Sequence, residues 1–182
     1  MRTDRLIVSS APDLHLVRVE IERLEAAGTS LPGLTVRDAS FAGGDLANAD
    51  LADVRLRRVR VSEFGAVGID VSGAVLDEVV LTRCKLRLAR GFGVRMTRCI
   101  FDGCDLREAE FEGATLDRVV FRDCNLMGAR LAGVDLSRCD LRGSRVEGLV
   151  VSPDHLRGVR VDASQLPTFA VALGLDLGEA PA

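Results

Sequence analysis

A large apolar residue returns at every fifth position over most of this chain. In "FEGATLDRVVFRDCNLMGARLAGVDLSRCDLRGSRV", residues 111–146, the series runs Phe111, Leu116, Phe121, Leu126, Leu131, Leu136, Leu141 and Val146. A helix brings a face back roughly every 3.6 residues and a strand roughly every 2, so a strict five fits neither amphipathic template. With these residues taken as centres, the frame holds from Leu31 to Val161, and only Ala66 and Gly91 among them are small.

A second column lies two residues before each centre: Ala39, Gly44, Ala49, Val54, Val59, and later Ala109, Ala114, Val119, Cys124, Ala129, Val134 and Cys139. It is small or apolar, whereas the residues flanking each centre are mostly Asp, Arg, Glu, Ser and Thr. Two columns therefore face inward and three outward. One large and one small inward residue cannot close a core within five residues, so such units must stack on their neighbours as a solenoid. If four sides close a turn, residues 20 apart lie above one another at about the 4.7–4.9 Å spacing of paired strands. Phe64 with Ala66, and Leu24 with Ala26, exchange large and small within one side, which conserves interior volume. The frame reaches back to about residue 13.

The motif A(D/N)LXX, present here as "ANADL", "GGDLA", "GARLAG" and "CDLRG", resembles the pentapeptide repeat family over most of the chain. The resemblance implies an all-β solenoid: a right-handed quadrilateral β-helix of about seven to eight coils and of order 35 Å in length. Residues 1–163 form the β-helix in this reading. Residues 164–182 form a cap or dimerisation element, with a short helix from about Ser164 to Leu173 and a brief strand over Leu175 to Leu177. Asp162 or Ser164 is the candidate N-cap, Pro167 suits a first helical turn and Gly174 a stop.

Composition sets limits on function. The net charge of −3 favours neither nucleic acid nor an anionic membrane, so no direct nucleic-acid binding is expected. The apolar run Leu6 to Val8 is shorter than a secretory core or a membrane span, so a cytoplasmic protein is expected. Cys84, Cys99, Cys104, Cys124 and Cys139 all fall in the small inward column and lack tight ligand spacing, which makes them packing residues and leaves no metal or cofactor site. His15 and His155 are the only histidines, and neither belongs to a nucleophile motif, so no catalytic site and no enzyme is expected.

The outward columns carry the candidate surfaces. On one side Asp50, Asp70, Glu110 and Glu112 make a net acidic face. On another, Arg98, Arg118 and Arg138 stack with Asp77, Asp117 and Asp135 as available partners, and on a third Val80, Ile100 and Val120 form an outward β-branched ladder. At Gly91-Phe92-Gly93 a large centre is missing, and either Phe92 turns inward or the coil bulges. The tail residues Leu166, Phe169, Val171 and Leu173 carry more apolar surface than one coil end buries, which predicts a homodimer through the C-terminal end.

The motif and the helical ending resemble the gyrase-protecting, quinolone-resistance type, which implies a non-enzymatic solenoid that binds DNA gyrase or a related type II topoisomerase. Charge argues against mimicry of DNA, since no side holds a sustained anionic field, and the alternative is a structural or interaction scaffold for another protein.

Overall fold

The computed structural model describes residues 2–7 and 14–178. The expected start of the repeat near residue 13, and residues 179–182 of the terminal segment, lie outside them. The chain winds into a parallel β-solenoid of about 7 turns that ends in one short helix. Every strand pair is parallel, and from Thr35 onward the register offset is one coil: Val36 lies over Leu56, Leu76, Met96 and Leu116 in succession, and Leu81 over Phe101 and Phe121.

The four sides take their names here from the centres of one coil, Phe111, Leu116, Phe121 and Leu126. The Leu116 and Phe121 sides hold the longest ladder, built from three-residue strands such as Val75–Asp77, Arg95–Thr97 and Thr115–Asp117 beside Val80–Thr82, Ile100–Asp102 and Val120–Arg122. In two early coils the strand runs through the corner without a break, as Thr35–Phe41 and Arg55–Ser62. On the other two sides the coils pair through two-residue strands, such as Gly44–Asp45 with Phe64–Gly65 and Arg130–Leu131 with Val150–Val151, and through single bridges, among them Asp50 to Asp70 and Lys85 to Asp105.

Inward columns form one continuous core. Leu106, Phe111, Leu116, Phe121 and Leu126 are buried, as are all five cysteines, and Phe101 stacks beneath Phe121 with ring centroids 5.0 Å apart and planes 14° from parallel. The exchange at Phe64 and Ala66 also holds, with both side chains buried. Its companion in the coil below is Gly44, where a Cβ would stand 1.9 Å from the Leu24 carbonyl oxygen, so only glycine fits beneath Phe64.

The stack begins earlier than the repeat frame. Arg2–Thr3 pairs with Glu20–Ile21, and Leu6–Ile7 with Leu24–Glu25, at an offset of 18 residues in place of 20. That first turn is out of frame, and for this reason the five-residue period does not reveal it.

The Gly91 gap is repaired in a way the local sequence does not announce. Phe92 points outward at 68% exposure, so it does not fill the space. Nor does the coil bulge, because Gly91 still donates to Glu110 O at 2.8 Å and Arg90 keeps its bridges to Asp70 and Glu110. Phe111, one coil on, supplies the volume. Its ring edge lies 2.6 Å from where a Gly91 Cβ would stand, a contact no larger side chain permits.

The end cap differs from expectation in three respects. A 3-10 turn, Ala163–Gln165, precedes the helix α1, Leu166–Ala172. No strand forms over residues 175–178: after left-handed Gly174 the Leu175 N–H folds back to Ala170 O at 2.9 Å. Phe169 is buried against its own last coil, at 6% exposure. Gln165 closes that coil, its amide Nε2 donating to Leu141 O at 2.7 Å and Ser144 O at 2.6 Å while its Oε1 accepts the Asp162 N–H at 2.8 Å.

Candidate interaction surface

The stacked frame brings two of the sequence-predicted columns together. Arg98 and Arg118 directly follow strands of the Leu116 side at the corner, and Ile100 and Val120 begin strands on the Phe121 side two residues later, so both columns run along one corner of the rod. Val80, Ile100 and Val120 stack in direct register and are half-buried, with Arg60 below Val80 and Asp140 then Arg160 above Val120. The result is an apolar ladder with charged residues at both ends and an arginine column alongside.

Shallow grooves follow this corner. One, of about 800 Å³, is lined by Arg18, Asp38, Arg58, Glu78, Val80 and Arg98 among others, and a second, of about 450 Å³, by Arg118, Val120, Arg138 and Arg160. Both are open to solvent, which suits contact with another surface better than enclosure of a small substrate.

Charge pairing across coils sets the shape of the corner. Arg58 grips Asp38 through Nε at 2.5 Å and Nη2 at 2.9 Å; Arg98 reaches Asp77 at 2.5 Å and Glu78 at 3.1 Å; Asp117 accepts from Arg138 at 2.8 Å and Arg118 at 2.9 Å. The Arg58 guanidinium holds the Asp38 carboxyl below the usual carboxylate range, and Arg138 with Arg118 does the same to Asp117. Asp77 and Asp117 thus take the expected roles. Asp135 does not: it accepts the Ser137 N–H at 2.9 Å and makes no ion pair among the described residues. Arg37 and Arg60 beside the corner, and Arg55 and Arg95 at the start of strands on the Leu116 side, also lack ion pairs among the described residues and leave the early coils of this side with unpaired positive charge.

The acidic side is more neutral in the fold than in the sequence. Asp50 and Asp70 stack, with Arg90 and Glu110 following in the same column. Asp70 meets Arg90 at 3.2 Å, Glu112 accepts from Arg130 at 2.7 Å, and Asp50 accepts from Ser30 at 2.8 Å. At the C-terminal end Leu166, Val171 and Leu173 are exposed at 54%, 64% and 54%, beside Leu175 and Leu177. The buried Phe169 is removed from the predicted interface set for this reason.

Cys84, Cys104 and Cys124 form a ladder of buried thiols one coil apart. Burial pushes Cys99 and Cys139 up to about 11, and Cys104, raised chiefly by its neighbour Cys124, also stands at about 11. Cys84 is raised by its neighbour Cys104 and by burial, while the proximity of Cys104 lowers Cys124. Among the described residues no group of three or more His, Cys, Asp or Glu is placed to hold a metal ion, and no helix is long and apolar enough to cross a membrane.

The model of the family "Pentapeptide repeats" matches residues 104–143 in eight copies. No curated protein matches the chain. Among solved structures, QnrB1, described as a plasmid-mediated fluoroquinolone resistance protein, is 15% identical, with 96% of this chain and 99% of that one covered and a TM-score of 0.42. Rfr23 from the cyanobacterium Cyanothece 51142 is 18% identical over 76% and 88%, with a TM-score of 0.35. HetL from Nostoc sp. Strain PCC 7120, described as involved in heterocyst differentiation regulation, is 18% identical over 87% of each chain, with a TM-score of 0.28. The eight matched copies, over residues 104–143, lie in one unbroken frame with the coils stacked before and after them, so this stretch of the solenoid is similar to the pentapeptide repeats.

Proposed function

We propose that this chain is a non-enzymatic, protein-binding rod whose recognition surface is the corner between the Leu116 and Phe121 sides. The ladder Val80, Ile100 and Val120 beside Arg98, Arg118 and Arg138 carries the reading. A desolvatable apolar strip flanked by arginines has the composition of a protein interface, where arginine is enriched and charges at the rim set orientation. The unpaired Arg37, Arg55, Arg60 and Arg95 favour a partner with acidic side chains facing the early coils. The rod works in the cytoplasm without a cofactor, and a second copy docks through Leu166, Val171 and Leu173.

The first partner to test is DNA gyrase, on the resemblance of the repeat motif and helical ending to the quinolone-resistance type. The arginine corner argues for docking on an acidic protein surface and against replacement of the DNA duplex, since a duplex mimic needs a sustained anionic face. Supercoiling by gyrase is measured with and without a fluoroquinolone while the protein is titrated in, alongside the variant Ile100→Glu with Arg118→Glu. A dose-dependent change in activity or drug inhibition that the variant loses supports both partner and surface. No effect at micromolar excess removes gyrase. An effect that the variant retains removes the corner.

A further inference from the structure

Four of the shortest inward centres, Val61, Ala66, Val71 and Gly91, fall within about one and a half coils. Elsewhere, apart from Val36 and the late centres Val146, Val151 and Val161, the column is Leu, Met or Phe. Phe64 offsets Ala66 and the Phe111 ring lies over Gly91, and both rings border the space left between the short centres Val61 and Val71 without filling it. A cavity of about 100 Å³ remains inside the rod, bounded by aliphatic and phenyl side chains and the Cys84 thiol.

Burial gives an independent sign of this space. Leu46, Leu56, Val61, Val71 and Leu81 occupy inward centres yet are only half-buried, and all five line the cavity. In later coils the same columns are sealed, with Leu106, Leu126, Leu131, Leu136 and Leu141 at 0%. The exposed area of the five therefore faces the interior space. A water there would find no set of polar partners, and a cavity of this kind stays dry. An engineered apolar cavity of about 150 Å³ binds benzene or xenon on the same grounds.

We propose that this cavity is a binding site for a small nonpolar solute, a noble-gas atom or a light hydrocarbon, held by dispersion contacts with side chains that otherwise face empty space. Entry requires a transient opening of neighbouring coils, since the lining lies behind continuous ladders. The site is separate from the outward corner and does not depend on what binds there.

Xenon is the probe. Methyl NMR of the intact protein under increasing xenon pressure should show saturable shifts at Leu46, Val61, Val71 and Leu81 and none at Leu126 or Leu131. The variant Val61→Leu with Val71→Leu, which restores the usual centre at both positions, should weaken the apparent affinity at least tenfold. It should also lose the rise in melting temperature that xenon gives the unaltered protein. Shifts that fail to saturate, or that appear only at the exposed leucines of the C-terminal end, overturn the proposal, as does unchanged affinity in a folded variant. If that variant does not fold, the methyl map of the unaltered protein decides alone.

Discussion

At the second residue after each centre the chain turns a corner, and it does so at positive φ in coil after coil. Along one edge these residues are Arg18, Asp38, Arg58, Glu78, Arg98 and Arg118, with φ values of 55°, 56°, 52°, 55°, 52° and 55°. A non-glycine residue there costs about 1–2 kcal/mol, which asparagine and aspartate reduce by local hydrogen bonding and leucine does not. Leu88, at φ 59° and 42% exposed, is the plainest case of strain, because its side chain recovers little by burial. Leu88→Gly should raise stability by about 1 kcal/mol, the left-handed penalty less the greater chain entropy of glycine; urea unfolding at unchanged m-value reads it, and a lowered midpoint would refute it. The corner column was not legible in the sequence, since Arg, Glu and Leu are poor signals for left-handed backbone and stacking imposes the turn on them. Inward columns were legible because volume and polarity mark them directly. Gly91 shows the limit of that legibility: its space is filled by a residue 20 positions away, not by its neighbour Phe92.

At the level of elements, the cap is held by one polar side chain and one ring. Gln165 gives the last coil the donors it would otherwise find in a following coil, and Phe169 covers the exposed core. Gln165→Ala leaves the carbonyls of Leu141 and Ser144 without those donors and should cost about 1–3 kcal/mol. Hydrogen exchange should then rise in the last coil and remain unchanged around Phe101 and Phe121; uniform loosening would show that the cap serves the entire stack. The helix itself could be read from Pro167, Gly174 and its apolar spacing. Which wall each apolar residue meets could not, because a periodic pattern does not distinguish a surface of the same chain from that of a second copy. Phe169 belongs to the first kind, and Val171 is free for the second.

For the whole molecule, the exposed set Leu166, Val171, Leu173, Leu175 and Leu177 sits at the C-terminal end of the coil stack. A second copy docked there across a two-fold axis would use the same patch twice and close the assembly. Val171→Glu with Leu173→Glu should give a folded monomer by sedimentation at tens of micromolar, and the unaltered protein should sediment as a dimer; a monomer in both cases ends the claim. The same stacking has a consequence for insertion and deletion. Loss of 20 residues between corners removes one full turn and returns every later side chain to its original bearing, so the rod is shortened and its corner strip stays aligned. Loss of a single five-residue side keeps the inward frame equally well, yet it rotates everything downstream by a quarter turn and moves Ile100 and Val120 onto a different edge from Val80. Length in this chain is therefore tolerant in steps of one turn, and the direction in which it faces a partner is encoded in the count of sides.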